Sequence, residues 1–342
     1  MTMKRKFLFL FCFISLKIFA QNDSTVVRDT SMVDASKEMN KKKKWADDES
    51  SVKVFYGQRL INAKTVEVLH KGVMAFTVVH AFGDIAGSGG GFKNFFGFDE
   101  VSDAQIGFQI GLSNHLNLAL QHTVGYFKGL QHFYEAGLKY QFMKQETGGN
   151  PFSLTAYANV VSTANKITTD SNGIGTWIPG RENSFKTTAD RFSELIQLMI
   201  ARRFGAISLQ LSGTFLHTNL VIPGDQNNLF SIGGAVRLPL NKRMFIISDY
   251  FHTFRSQESI DAWKDYQAQR TPHTNQTPRD VFGIGVEILT AGHVFHLNFT
   301  NARNILENRF LPRTTDQWSE GEFRWGFTLA RNFMLFRDKN DK

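Results

Sequence analysis

The sequence predicts an all-β chain, a transmembrane antiparallel up-and-down β-barrel of about 12 strands, and three observations carry that expectation. Residues 103–112, DAQIGFQIGL, alternate apolar Ala104, Ile106, Phe108, Ile110 and Leu112 with Asp103, Gln105, Gly107, Gln109 and Gly111. A period of two sends the two sets to opposite faces of a strand. The pattern recurs about a dozen times, with more polar faces than one solvated sheet would present, as in barrels that turn an apolar face to lipid and a polar face to the lumen. Beyond the N-terminus no apolar run approaches the ~18 residues that a membrane helix requires, and mean hydropathy is -0.24.

The N-terminus reads as a Sec signal peptide over residues 1–20. Lys4, Arg5 and Lys6 precede the apolar run Phe7 to Leu16, and Ile18-Phe19-Ala20 precedes a cut before Gln21. Cleavage removes Lys4, Arg5, Lys6 and Lys17, so the formal charge falls from +8 to +4. The basic balance is mostly a property of the leader, and nucleic acid is not implied as a partner. Cys12, the single cysteine, lies inside the leader's apolar core. The mature chain then has no disulfide and no cysteine-based metal site.

Residues 21–53 are polar, with Lys41 to Lys44 in a row and Asp47-Asp48-Glu49 close behind. This composition predicts a disordered periplasmic tail, with a periplasmic partner or a plug for the lumen as alternatives. Residues 54–71, VFYGQRLINAKTVEVLHK, alternate too irregularly for a strand. They lead into the barrel or lie inside it, and the barrel domain is placed at 54–342.

Strands are expected near 72–82, 103–113, 115–126, 131–143, 151–161, 190–204, 206–217, 229–239, 243–255, 280–290, 293–301 and 322–336. Most are long enough for the ~9 to 11 residues of a tilted membrane strand. Their connections alternate between mostly long and short, as outer-membrane barrels alternate extracellular loops with periplasmic turns, and an even strand count leaves both termini on the turn side. Two strands have a poorly defined face: 243–255 mixes Asp249 and Tyr250, and 190–204 puts Glu194 in phase with Ile196 and Leu198. Membrane-end positions or bulges would account for them. The last strand alternates Phe323, Trp325, Phe327 and Leu329 with Arg324, Gly326 and Thr328. It must pair with the first, because an open edge is not tolerated in lipid.

Candidate chemistry is sparse. Gly87-Ser88-Gly89-Gly90-Gly91 lacks the spacing of a phosphate loop and reads as a flexible or tight turn. The ten histidines contain no HExxH, and His293 and His296 fall on opposite strand faces, so neither a metal nor a cofactor is expected. The inward set is Asp103, Gln105, Gln109, Asn117, Gln121, Glu135, Lys139, Gln141, Gln210, Arg237, Glu287, Asn298 and Arg324. Both signs occur among many amides, which predicts a wet, weakly selective lumen; the alternative is that these groups hydrogen-bond across a narrow lumen and close it. Glu135 and Lys139 stand about 13 Å apart along one strand at ~3.3 Å per residue. Neutralising either is therefore expected to shift selectivity with little effect on folding.

The run from Arg59-Leu60-Ile61-Asn62 through Thr65-Val66-Glu67, His80, Phe82-Gly83-Asp84 and Phe95-Phe96-Gly97 to Ser102-Asp103 resembles a family of uncharacterised Gram-negative outer-membrane β-barrel proteins, classed as a domain of unknown function. The resemblance extends over most of residues 55–336 and implies a barrel, with no established activity. The sequence reading is thus an exported outer-membrane barrel that contacts lipid, a passive pore for small hydrophilic solutes. A non-conducting anchor or binding protein presenting loops or tail is the alternative, and a membrane hydrolase the third. Oligomeric state is open.

Overall fold

The computed structural model describes residues 50–87, 89–125, 131–165, 185, 187–270 and 277–336. The expected signal peptide lies outside the described residues, as does the expected tail up to residue 49. Twelve antiparallel strands form one closed barrel. They are β1 (Val73–Asp84), β2 (Val101–Gly111), β3 (Leu116–Gly125), β4 (Gln131–Met143), β5 (Ser153–Thr163), β6 (Phe192–Phe204), β7 (Ile207–Thr218), β8 (Asn228–Pro239), β9 (Met244–Phe254), β10 (Val281–Leu289), β11 (His293–Thr300) and β12 (Arg324–Met334). Each pairs with its sequence neighbours, and β1 pairs with β12 from Val73↔Met334 to Asp84↔Arg324. The ring therefore has no free edge, as lipid demands.

Period two sets the faces. On β2, Asp103, Gln105 and Gln109 are buried, whereas Ile106 is 48% and Phe108 39% exposed. A soluble sandwich or lipocalin-like barrel would bury those apolar residues instead. Ile196, Leu198 and Leu211 are likewise exposed, and the outer wall is apolar around the ring. Glu194, in phase with Ile196, sits two residues inside β6, paired with Val160 and His217. That is a strand-end position, where a charge on the lipid face is cheap compared with mid-depth.

The short turns 112–115, 205–206, 240–243 and 290–292, together with the longer connection 144–152, gather at one end, here the turn end. The opposite, loop end carries 85–100, 164–191, 219–227, 255–280 and 301–323 as its longer connections. Two of these contain helices, α1 (Gln257–Arg270) and α2 (Glu307–Arg313). In the glycine-rich connection, Gly90 N–H donates to Gly87 O and Gly91, at φ +84°, donates to Ile85 O, which makes a tight turn.

Residues 50–72 form a re-entrant segment. Its start is pinned to the β4–β5 turn, with Val52 N–H on Gln145 O at 2.8 Å and Thr147 N–H on Ser50 O at 2.7 Å. It runs into the lumen, reverses where Leu60 N–H meets Ala63 O at 2.8 Å, and returns so that Gly72 N–H meets Gly111 O at 2.9 Å. Both ends of the segment lie at the turn end.

The last residue of β2, Gly111, faces inward beneath this return, and a Cβ there would fall 2.0 Å from His70 O and 2.9 Å from Leu69 O. Backbone on both sides leaves no flexible atom to yield, so Gly111→Ala is expected to cost about 1–3 kcal/mol. Urea unfolding of the barrel in detergent checks this. A wild-type midpoint would mean that the re-entrant segment does not press on β2.

Candidate functional site

The lumen is filled rather than lined. Val54, Phe55, Leu60, Ile61, Ala63 and Val66 of the re-entrant segment join inward residues of the wall, among them Tyr157, Leu195, Met199, Leu216, Ile247 and Phe251, in one buried apolar cluster. Phe310 and Leu311 of α2 complete it. The loop that holds α2 thus folds into the barrel from the loop end and meets the segment arriving from the turn end.

This segment has no regular secondary structure, so its backbone groups need partners from the wall. The wall supplies them. Asp249 accepts the backbone N–H groups of Asn62 at 2.6 Å and Ala63 at 2.8 Å, and the Asn62 amide at 2.9 Å. Gln210 accepts from Val66 N at 2.9 Å while donating to Lys64 O at 2.7 Å. Gln141 and Thr155 both donate to Val66 O, at 3.0 and 2.7 Å. Asn117 accepts from Leu69 N at 3.1 Å, and Gln105 from the Arg59 guanidinium at 3.0 Å. Within the segment, Glu67 accepts from the N–H groups of Val54 and Phe55 at 2.8 and 2.9 Å.

Lys139 does not stand in water. Its Nζ donates to Gln58 Oε1, Thr65 O and Glu67 O at 3.0–3.1 Å, and the residue is 1% exposed. Glu135, 3% exposed, accepts from the Tyr157 hydroxyl and from Asn159 Nδ2, and lies 3.3 Å from Lys64 Nζ. The expectation of a wet lining at these two residues is corrected: both are dry and partnered, because the re-entrant segment occupies the space that water would fill. The two are not paired with each other: the segment gives Glu135 a cation in Lys64 and gives Lys139 the oxygens of Gln58, Thr65 and Glu67.

Lys64 also reaches Glu307 of α2 at 2.7 Å. The ammonium therefore ties together a strand, the re-entrant tip and the loop helix. A second buried group joins Arg237 to Glu287 at 2.5 Å, with His296 Nε2 3.1 Å from the other Glu287 oxygen and His296 Nδ1 3.1 Å from Leu60 O. At the loop end, Asp103 accepts from Ile305 N at 2.8 Å, and Arg324 holds Asp316 at 2.5 Å and Asn301 O at 3.1 Å. Burial alone would raise the Asp316 carboxyl, but Arg324 and Arg303 together hold it below the usual aspartate range.

The remaining inward residues take lesser parts. Gln109 is buried, and Gln121 is half-buried beside Gly107 and opposite Glu135. Asn298 borders a cavity of about 20 Å³ between Arg59, Asn62 and Ala302, room for roughly one water. Asp249, Tyr157, Asn159, His296, Glu307 and Asp316 belong to the site as well; His296 carries the inward parity of Asn298 on β11, whereas Glu307 and Asp316 lie in a loop that no strand alternation covers. Asp249 lay in view inside the strand without a defined face. Among the described residues no group of three or more metal-ligating side chains is assembled.

A family model described as a membrane-bound β-barrel domain, DUF5777, matches residues 55–333. The chain belongs to this family. The match begins at Phe55, so the DUF5777 domain includes the re-entrant segment as well as the strands. Solved structures of similar fold include the KdgM porin, at 7% identity and TM-score 0.44 over 76% of this chain and 99% of that one. The NanC porin matches at 6% and 0.41, over 77% of this chain and 100% of its own. The COG4313 outer membrane channel from Pseudomonas putida F1 matches at 12% and 0.45, over 78% and 98%. No curated protein sequence matches the chain.

Two predictions follow from the buried charges. Lys64→Met leaves Glu135 and Glu307 without their shared cation and is expected to cost about 3–5 kcal/mol in urea unfolding, the range for breaking a buried ion pair. Lys64→Met with Glu307→Gln should regain part of that loss, because Glu135 keeps Tyr157 and Asn159. A single-variant cost under about 1 kcal/mol would place these groups in solvent.

The second concerns acid. A carboxyl whose folded pKa is depressed stabilises the fold above its unfolded pKa and loses that contribution as pH falls through the folded value. The Asp316 clasp on the α2 loop should therefore weaken below the ordinary aspartate range near ~3.9. Pepsin, active throughout that range, is expected to cut near Phe310 only at the acid end in the wild type, and across the range in Asp316→Asn. Identical cleavage profiles would refute this role.

Proposed function

We propose that this chain is an outer-membrane barrel sealed by its own residues 54–70 and by the α2 loop, a non-conducting protein that presents its loop end to partners. The apolar cluster running from Val54 and Phe55 across to Phe310 and Leu311 carries the reading. A water-filled passage would wet Leu195, Met199, Ile247 and Phe251 along the wall, which cores avoid. The short turns suit the periplasmic side and the long loops the exterior. Export through a signal peptide completes this reading.

The passive pore expected from the sequence survives in a gated form, on one observation. Both ends of the re-entrant segment are at the turn end, so it could leave the lumen without threading the barrel. The Asn, Gln, Glu, Lys and Arg groups that now bind it would then face water.

Planar-bilayer recording of the purified full-length protein separates these readings. No stepwise conductance is expected at moderate voltage. Stable ohmic steps from the wild type would overturn the sealed reading, and steps confined to Asp249→Ala, which releases the Asn62 and Ala63 N–H groups, would favour the gated pore.

A further inference from the structure

The outer wall has a pronounced dent. A groove of about 620 Å³ crosses β6 to β9, bounded by Arg202, Phe204, Leu209, Leu211, Val236 and Tyr250, with Gly234 and Ser248 as its floor. Its origin is local. Gly234 pairs directly with Tyr250, and a ring opposite a glycine commonly lies across it. Here the Tyr250 hydroxyl is drawn to Asp280 at the loop end. The ring is held toward that carboxylate, and the space over Gly234 stays open.

Ser248 spends its hydroxyl on Gly283 O at 2.8 Å, so the floor offers no unsatisfied polar group to a ligand. The turn end of the groove differs. Arg202, two residues from the end of β6, is exposed, with its guanidinium stacked over Phe204 at 4.7 Å. An apolar trough that opens at the membrane boundary beside a cation matches an acyl chain joined to a phosphate. Aromatic-backed arginine at that level suits the phosphate by charge and by its planar donor fork.

We propose that this groove is a site for one glycerophospholipid of the turn-side leaflet, its phosphate on Arg202 and one acyl chain over Gly234 and Ser248. The proposal rests on the membrane placement of the barrel but not on whether the lumen conducts. It distinguishes a fixed lipid from the surrounding annulus, which exchanges freely.

Native mass spectrometry of the refolded barrel, titrated with dioleoyl phosphatidylglycerol, tests it. One lipid should survive activation that strips the rest. Gly234→Leu fills the groove at a position where a Cβ meets nothing nearer than 4.0 Å, so the barrel should still fold and show its heat-modifiable band. Retention is expected to fall about tenfold or more in this variant, and several-fold in Arg202→Gln. Gly213→Leu, elsewhere on the lipid face, should retain the lipid. Equal retention in all four proteins would overturn the site. A wild-type dimer dissociated by Gly234→Leu would overturn it too, with a second copy as the occupant. Failure of the wild type to insert into vesicles would instead refute the membrane reading itself.

Discussion

Satisfying the backbone of residues 54–70 is the constraint on which the interior depends. A strand in the wall finds its hydrogen bonds in its neighbours, but an irregular segment inside the lumen has none to draw on, and each unmet buried group costs about 1–3 kcal/mol. The inner wall answers with side chains that behave like an adjacent strand. Gln210 both accepts from Val66 N and donates to Lys64 O, the pairing that a β-neighbour would make. Asp249 does the same work for the tip, where two successive N–H groups converge on one oxygen. Carboxylates and amides at these positions are therefore structural partners before they are anything else. The apolar contacts around them fix the segment's depth.

The faces, pairing order and loop asymmetry of the barrel were legible because they rest on short-range periodicity. Each expected strand overlaps an observed one, and most ends agree within about two residues, within the usual error of such boundaries. The last strand closes on the first for a reason that needs no detail of either. Faces were also legible: Asp103, Gln105, Glu135 and Lys139 carry the parity of the interior. What they touch was not. Lys139 bonds to residues 72–81 positions away, and Lys64 to a carboxylate 243 positions away. Alternation is blind to such distances.

One signal of the plug was nevertheless present in the sequence. β9 lacks a clear face because its inward residues Phe245, Ile247 and Phe251 are apolar alongside Asp249, and β6 sends Leu195 and Met199 inward. A lumen open to water has no use for these. Apolar residues on both faces of a membrane strand mean that something apolar lies inside, and Val54 to Val66 is the stretch whose own pattern suits no strand. Phe251 against Phe310, with ring centroids 5.4 Å apart, shows that the loop helix answers the same surface. The buried helix itself left little local trace: it has seven residues, a proline at position 312, and buries Glu307, Asn308 and Arg309 together with Phe310.

The meeting of segment and loop helix has a thermodynamic consequence that either element alone would lack. Lys64 is held by Glu135 from the wall and by Glu307 from the helix, so the charge balance at the tip depends on where the helix sits. Removing Glu307 from the lumen would leave the Lys64 ammonium with a single carboxylate at 3.3 Å in a dry setting, which is unfavourable for a buried charge. Linkage makes this reciprocal: whatever free energy a loop-end contact spends in moving α2 away from Lys64 is the free energy by which retention of the segment stabilises α2 in place. The segment from the turn end and the helix from the loop end are thus joined through this ammonium group as well as through their shared apolar cluster. A displacement of α2 would therefore weaken the electrostatic hold on the segment's tip.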